Sequence, residues 1–291
     1  MSVTSLSTPI QTSVAATKIP ANPWALLRRG LVYLLLSIAA FVSVFPFFWM
    51  IVGATNTSAD IIKGKTGIGG NLLNNAATFF AQVDAPRIFF NSGFIAVVAT
   101  VLTLAISSLA GYGFEMFRSR IRERLFALLL LLLSIPFSAM MVPLFVMFSQ
   151  AKLVNTYVAV ILPTVASIFI IFYFRQATKA FPGELRDAAK IDGLNEWQIF
   201  FFVYLPVMRS TYAAATIIVF MANWNNYLWP LIVLQTGENK TITLILSALT
   251  SAYTPDYGML LFGTVLATLP TLVIFFLLQR RFVEGMLGAV K

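Results

Sequence analysis

Long apolar runs separated by shorter polar segments dominate this sequence. A helix needs about 20 predominantly apolar residues to cross the hydrocarbon core of a bilayer, and six runs meet or approach that length. Proline occurs in or beside several of them, which is tolerated because neighbouring groups re-satisfy the freed carbonyls. The pattern predicts an all-α integral membrane protein with about six transmembrane helices. We expect these helices at about residues 30–52, 90–113, 125–148, 156–174, 212–234 and 259–278.

The N-terminal segment is polar and has no helical periodicity. It is rich in Ser, Thr, Ala and Pro, so we expect residues 1–25 to form a disordered cytoplasmic tail and residues 26–291 to form one transmembrane domain. Arg28 and Arg29 precede an apolar run, as in a signal peptide. That run is longer than the roughly 7–15-residue core of a signal peptide, which favours an uncleaved first helix.

Composition supports this class of protein, and the charges give it an orientation. Hydrophobic residues make up 59% of the 291 residues and charged residues only 11%, against about 25% charged in an average soluble domain. The basic residues cluster in alternate inter-helix segments, which the positive-inside rule places in the cytoplasm together with both termini. This accounts for the net charge of +9 without nucleic-acid binding, for which no basic patch interleaved with aromatics is present.

The sequence offers no catalytic constellation. It contains neither Cys nor His, which excludes disulfides, thiolate nucleophiles and the commonest general base and metal ligand. We therefore expect no catalytic residue and no metal site. An ion-coupled secondary transporter needs ionisable groups within the membrane, and the predicted spans contain essentially none.

One cytoplasmic loop, residues 176–206, is too polar to span a membrane and too regular for a flexible linker. Pro182 suits a helix start, and Gly193 suits a left-handed helix stop. Asn195, with Gln198 three residues later, fits a capping box. We expect two short helices joined by a tight Asp-Gly turn beneath the bilayer. From the residues alone, a docking surface and a plain connector between two spans are both open.

The same loop resembles a motif of the permease subunits of binding-protein-dependent ABC importers. That motif has Glu-Ala-Ala shortly before Asp-Gly-Ala, with a proline 13 positions after the glycine; here residues 187–193 read Asp-Ala-Ala-Lys-Ile-Asp-Gly, and Pro206 follows at that distance. Asp187 in place of Glu and Leu194 in place of Ala depart from the pattern. Residues 224–231 are similar to the carbohydrate-uptake branch, that of the maltose transporter's smaller permease subunit.

The resemblance implies a type I ABC importer permease fold, in which this loop is a coupling helix that docks on a cytoplasmic ATPase subunit. The implied partners are a second homologous permease subunit, two ATPase subunits that bind ATP and Mg, an extracytoplasmic solute-binding protein and membrane lipid. This chain would hold no cofactor and would form half of a sugar pathway across the bacterial inner membrane. The residues implied at the ATPase joint are Glu184, Asp187, Ala188, Ala189, Asp192 and Gly193.

Amides and aromatic residues alternate near the end of the fifth predicted span. Amides bind sugar hydroxyls, and aromatic faces pack on the apolar side of a sugar ring. An interfacial aromatic belt or amide bonds between helices would give the same composition. The substrate class is also open to a polyol or a glycerol-phosphate ester, whose permeases carry similar fifth spans. The predicted pathway-lining residues are Asn223, Trp224, Asn225, Asn226 and Tyr227.

Overall fold

The computed structural model describes residues 23–288, apart from the side chains of residues 23, 25, 26 and 281–288. The predicted disordered tail therefore lies almost entirely outside the described residues, and its last positions begin the first helix. Every regular element in the described range is helical. A 3₁₀ turn at Leu162–Thr164, a π-helix at Phe200–Tyr204 and a 3₁₀ turn at Gly237–Asn239 supplement the α-helices. The α-helices are α1 (Pro23–Ala54), α2 (Ser58–Ile62), α3 (Leu72–Gln82), α4 (Ala85–Met116), α5 (Arg120–Leu132), α6 (Phe137–Gln150), α7 (Tyr157–Ile161), α8 (Ile168–Thr178), α9 (Gly183–Ile191), α10 (Glu196–Ile199), α11 (Leu205–Val207), α12 (Arg209–Trp224), α13 (Leu228–Val233), α14 (Ile242–Thr250) and α15 (Tyr257–Gly288).

Three helices in the described range, α1, α4 and α15, are individually long and apolar enough to span a membrane. Three further candidate spans are each made of two segments that meet at a bend. With each bent pair counted as one, the described residues hold up to six spans, which agrees with the predicted number. The bends measure 97° between residues 120–132 and 137–150, 42° between 157–164 and 168–178, and 80° between 196–207 and 209–233.

Two of the three bends fall within predicted spans, those at about residues 125–148 and 156–174, whereas the third lies at Met208, just before the predicted fifth span at about residues 212–234. Pro136 caps α6 in an extended conformation, with φ −66° and ψ 137°. Proline fixes its own φ and disfavours helical geometry in the residue before it. Pro163 and Pro206 stand close to the other two bends. The apolar pattern therefore located these spans, whereas their breaks follow from proline chemistry.

The chain forms two units, residues up to Trp49 and residues from Met50 onward. In the described range the first unit consists of the main part of α1. The second unit is organised around α4, which packs on α8 and α12, while α12 also packs on α15. Small residues allow α4 to approach its neighbours closely. At Gly111, an added Cβ would lie 2.6 Å from Phe174 Cβ and 2.8 Å from the Arg175 backbone nitrogen.

Candidate functional site

The loop at residues 176–206 contains the predicted first helix, α9. Pro182 stands at its N-cap and Asp192 at its C-cap. Gly193 follows with φ +82°, a left-handed conformation that glycine adopts without steric cost. The amide of Leu194 donates to the Ala189 carbonyl at 3.0 Å, and that of Gly193 to the Lys190 carbonyl at 3.0 Å. These two bonds form a Schellman motif, so the predicted helix stop is confirmed.

The second helix of the loop starts with the predicted capping box. The Gln198 amide donates to Asn195 Oδ1 at 3.0 Å, and the Asn195 amide donates to Gln198 Oε1 at 2.9 Å. The chain then continues through the π-helix and α11 to the bend at Met208. The loop is therefore two capped helices with a fixed turn between them.

The motif residues divide between an exposed and a buried side of α9. Ala189 is buried against the protein, whereas Ile191 is 87% exposed. The other motif side chains face outward, so a surface of small and acidic groups is open to a docking partner. The exposed motif positions are Glu184, Asp187, Ala188, Asp192 and Gly193.

A charge cluster centred on Glu196 joins the two loop helices to the end of α4; we call it the Glu196 latch. Arg186 on α9 donates to Glu196 Oε1 at 2.6 Å and to Oε2 at 3.3 Å. Lys190 Nζ lies 3.0 Å from Oε1, and the Tyr112 hydroxyl of α4 donates to Oε2 at 3.2 Å. The latch makes the loop and α4 one connected body.

Arg186 is well placed to stay charged in this cluster. Partial burial of its guanidinium acts to lower the pKa of Arg186, but the hydrogen bonds and charge of Glu196 outweigh burial and raise that pKa above its ordinary value. The guanidinium also lies 5.2 Å from the centroid of the Phe117 ring. The Arg186 side of the latch therefore remains cationic at every pH suited to a transport assay.

A second charge cluster was missed by sequence reasoning, which treated Arg175 only as a cation that sets topology. Its side chain is 7% exposed and that of Glu115 is 6% exposed, with 3.3 Å between Nε and Oε2. Arg175 Nη2 also lies 2.5 Å from Glu123 Oε1, and its guanidinium stands 4.0 Å from the Phe126 ring centroid. An acid at the very end of an apolar run was the available signal for a buried partner.

The predicted pathway residues have four different surroundings. Asn223 and Asn226 line a cavity of about 350 Å³ between α4, α8 and α12. Trp224 is 4% exposed and donates from Nε1 to the Ala267 carbonyl at 3.1 Å. Asn225 is exposed and donates to the Met221 carbonyl at 2.9 Å.

Tyr227 lines a different cavity and accepts a hydrogen bond from Ser247 Oγ at 3.0 Å. Of the five predicted pathway residues, Asn223 and Asn226 thus line the same cavity, whereas Tyr227 lines another. Among the residues described, no group of three or more acidic side chains is arranged to hold a metal ion.

Several apolar spans, some of them broken by bends, together with an exposed and capped loop between two spans are typical of a transport permease. The chain belongs to the family of binding-protein-dependent transport system inner membrane components, whose family model matches residues 104–288. It is thus a permease subunit of a binding-protein-dependent ABC importer, and the predicted class and fold are confirmed.

Two curated relatives and one solved structure show which members of the family this chain is similar to. The chain is 65% identical to the lactose transport system permease protein LacG of Rhizobium radiobacter, over 89% of this chain and 95% of LacG. It is 38% identical to the arabinooligosaccharides transport system permease protein AraQ of Halalkalibacterium halodurans, over 87% and 92% of the two chains. A chain in the crystal structure of a bacterial ABC transporter involved in the import of the acidic polysaccharide alginate superposes with a TM-score of 0.79 at 17% identity. That match covers 90% of this chain and 98% of the other, and it concerns the fold alone.

Proposed function

We propose that this chain forms half of the pathway of a bacterial inner-membrane importer for a disaccharide or short oligosaccharide, with lactose as the first candidate. The observation that carries the proposal is the exposed motif of α9, held by its Schellman stop and the Glu196 latch. The 65% identity to LacG supports the choice of sugar. The other half is a second, homologous permease subunit, and an extracytoplasmic binding protein delivers the solute.

ATP hydrolysis belongs to two cytoplasmic ATPase subunits that bind ATP and Mg, and this chain transmits their motion. The small side chain of Ala188 lets an ATPase surface approach the α9 backbone. Asp187 and Asp192 offer carboxylates to that surface. Because the Glu196 latch ties both loop helices to Tyr112 on α4, a displacement of the loop moves the cytoplasmic end of α4 with it.

We place the predicted amide and aromatic segment, residues 223–227, beside the solute pathway. Asn223 and Asn226 are the members that open on the same cavity. The buried Trp224 ring stacks on the Phe220 ring, with centroids 5.8 Å apart, and so helps to fix this segment in place.

The test is purification of the chain from native membranes in a gentle detergent, with identification of the chains that accompany it. ATP hydrolysis is then measured with and without the binding protein, loaded with lactose or with other saccharides. A second permease chain, an ATPase pair and hydrolysis stimulated by the sugar-loaded binding protein are expected. A chain that purifies alone and moves solute down an ion gradient would show that the loop is only a connector.

A further inference from the structure

The fourth span is interrupted beside the cavity that contains Asn223 and Asn226. The 3₁₀ turn Leu162–Thr164 ends one segment, α8 begins at Ile168, and the residues between them are not helical. Thr103, in the middle part of α4, donates to the Thr164 carbonyl at 3.1 Å. The break therefore lies level with the middle of a helix that is long and apolar enough to span a membrane. Non-helical backbone is tolerated at such depth only where it is buried in protein or lines a polar cavity.

Polar groups from α12 and from this break face the cavity. Within the described chain, the carboxamide of Asn226 makes no hydrogen bond. Asn223 donates from Nδ2 to the Val219 carbonyl at 2.9 Å, which leaves its Oδ1 free to accept. Ser167 Oγ accepts from the Ile170 amide at 3.4 Å, and its own proton has no acceptor among the described residues. Donors and acceptors are thus both available, as sugar hydroxyls require.

The remaining wall is apolar and uncharged. Phe137, Pro163 and Phe169 contribute ring surfaces, which suit the C–H side of a sugar ring. No Asp, Glu, Lys or Arg is found among the described residues that line the cavity. An anionic solute such as a phosphate ester would lose its hydration there without a cation to replace it. The volume of about 350 Å³ is at the lower end of the roughly 300–1,000 Å³ of ligand sites.

We infer that this cavity is a binding site, within this subunit, for an uncharged saccharide unit. Asn226, Asn223 and Ser167 bind the hydroxyls, while Phe137 and Phe169 pack against the ring. The inference rests on the proposed sugar-import function and deepens it, because it assigns part of the solute selectivity to this permease subunit and excludes phosphate esters from this site.

The test uses the whole complex in proteoliposomes, with lactose-loaded binding protein and radiolabelled lactose as the probe. Asn226→Leu removes the free carboxamide. Ala222→Leu, at another lining position, fills the cavity without removing a hydrogen-bonding group. Met221→Leu is the matched control, because Met221 is on the same helix and does not line the cavity. Three quantities are measured for each complex: the lactose transported, the ATP hydrolysed, and the lactose that stays bound after the nucleotide is trapped.

Both cavity variants are expected to lower the lactose moved per ATP and the retained lactose about tenfold. This is the effect expected when one good polar contact is removed, as in Asn226→Leu, or is blocked by added bulk, as in Ala222→Leu. ATP hydrolysis stimulated by the loaded binding protein should remain close to that of the Met221→Leu control, which shows that the complex is assembled. Normal lactose transport by both variants would overturn the cavity site and leave the importer function intact. Failure of the unaltered complex to respond to any saccharide-loaded binding protein would overturn both proposals.

Discussion

Gly193 is the residue on which the turn between the two helices of loop 176–206 depends. Its φ of +82° is left-handed, and an added Cβ would meet nothing within 4 Å. The cost of a side chain there is therefore conformational rather than steric, about 1–2 kcal/mol for an L residue in the left-handed region, and more for a β-branched one.

Gly193→Val is expected to abolish most sugar uptake while leaving membrane insertion intact, because it distorts the turn that presents the exposed motif. Uptake and the amount of protein in the membrane are measured in parallel. Gly183→Ala is the control, since an added Cβ at Gly183 also meets nothing and its φ is not left-handed. Normal uptake by the valine variant would show that the turn has no role in coupling.

Glu196 takes part in all four contacts of the Glu196 latch, so a substitution of this residue tests the role of the latch. Glu196→Gln keeps the shape of the side chain but removes the charge that Arg186 and Lys190 bind, so the loop is expected to uncouple partly, with less sugar moved per ATP hydrolysed. Glu238→Gln is the control. Glu238 pairs with Arg87 at 3.2 Å but its side chain is 73% exposed, and such pairs contribute at most about 1 kcal/mol. Equal effects of the two substitutions would argue against the latch.

At the scale of elements, Gly111 permits a close approach between α4 and α8. Gly111→Ala would gain roughly 1 kcal/mol in helix propensity, but its Cβ would clash with Phe174 and Arg175, and overpacking of this kind costs about 1–3 kcal/mol. The cost of overpacking should exceed the gain in helix propensity, so the melting temperature of the purified complex should fall.

Gly113→Ala is the matched control for this helix contact. It is two residues further along α4, and its added Cβ would meet nothing within 4 Å. Its melting temperature should therefore stay unchanged or rise slightly. A Gly111→Ala complex as stable as the Gly113→Ala complex would show that α4 and α8 can separate without cost.

The elements also show what the sequence could and could not predict. Local chemistry determined the loop: the Gly193 stop and the Asn195–Gln198 box depend on residues close together in the chain, and both were predicted. The pairing of Arg175 with Glu115 joins residues 60 positions apart. The hydrophobic periodicity of the sequence carries no information on contacts between such distant residues. Likewise, Asn223 and Trp224 are adjacent in sequence, and only the packing of α12 on its neighbours shows which of them reaches a cavity.

At the scale of the whole molecule, the orientation in the membrane is a prediction from the distribution of Lys and Arg. The chain has no Cys, so the labelling of a single introduced cysteine shows on which side of the membrane that position lies. In whole cells, Lys63→Cys should react with a membrane-impermeant maleimide, and Arg120→Cys should react only after the membrane is opened. Both positions are exposed. The reverse labelling pattern would place both termini outside.

The uncharged wall of the cavity has an electrical consequence. A unit charge that crosses the full membrane field gains or loses about 2.3 kcal/mol per 100 mV, so a transporter that carries charge responds steeply to membrane potential. Here the described cavity lining brings no ionisable group into the field, and a neutral sugar adds none. If solute passes Asn223 and Asn226 as proposed, transport should proceed at the same rate in energised and in depolarised membranes, as long as ATP is held constant.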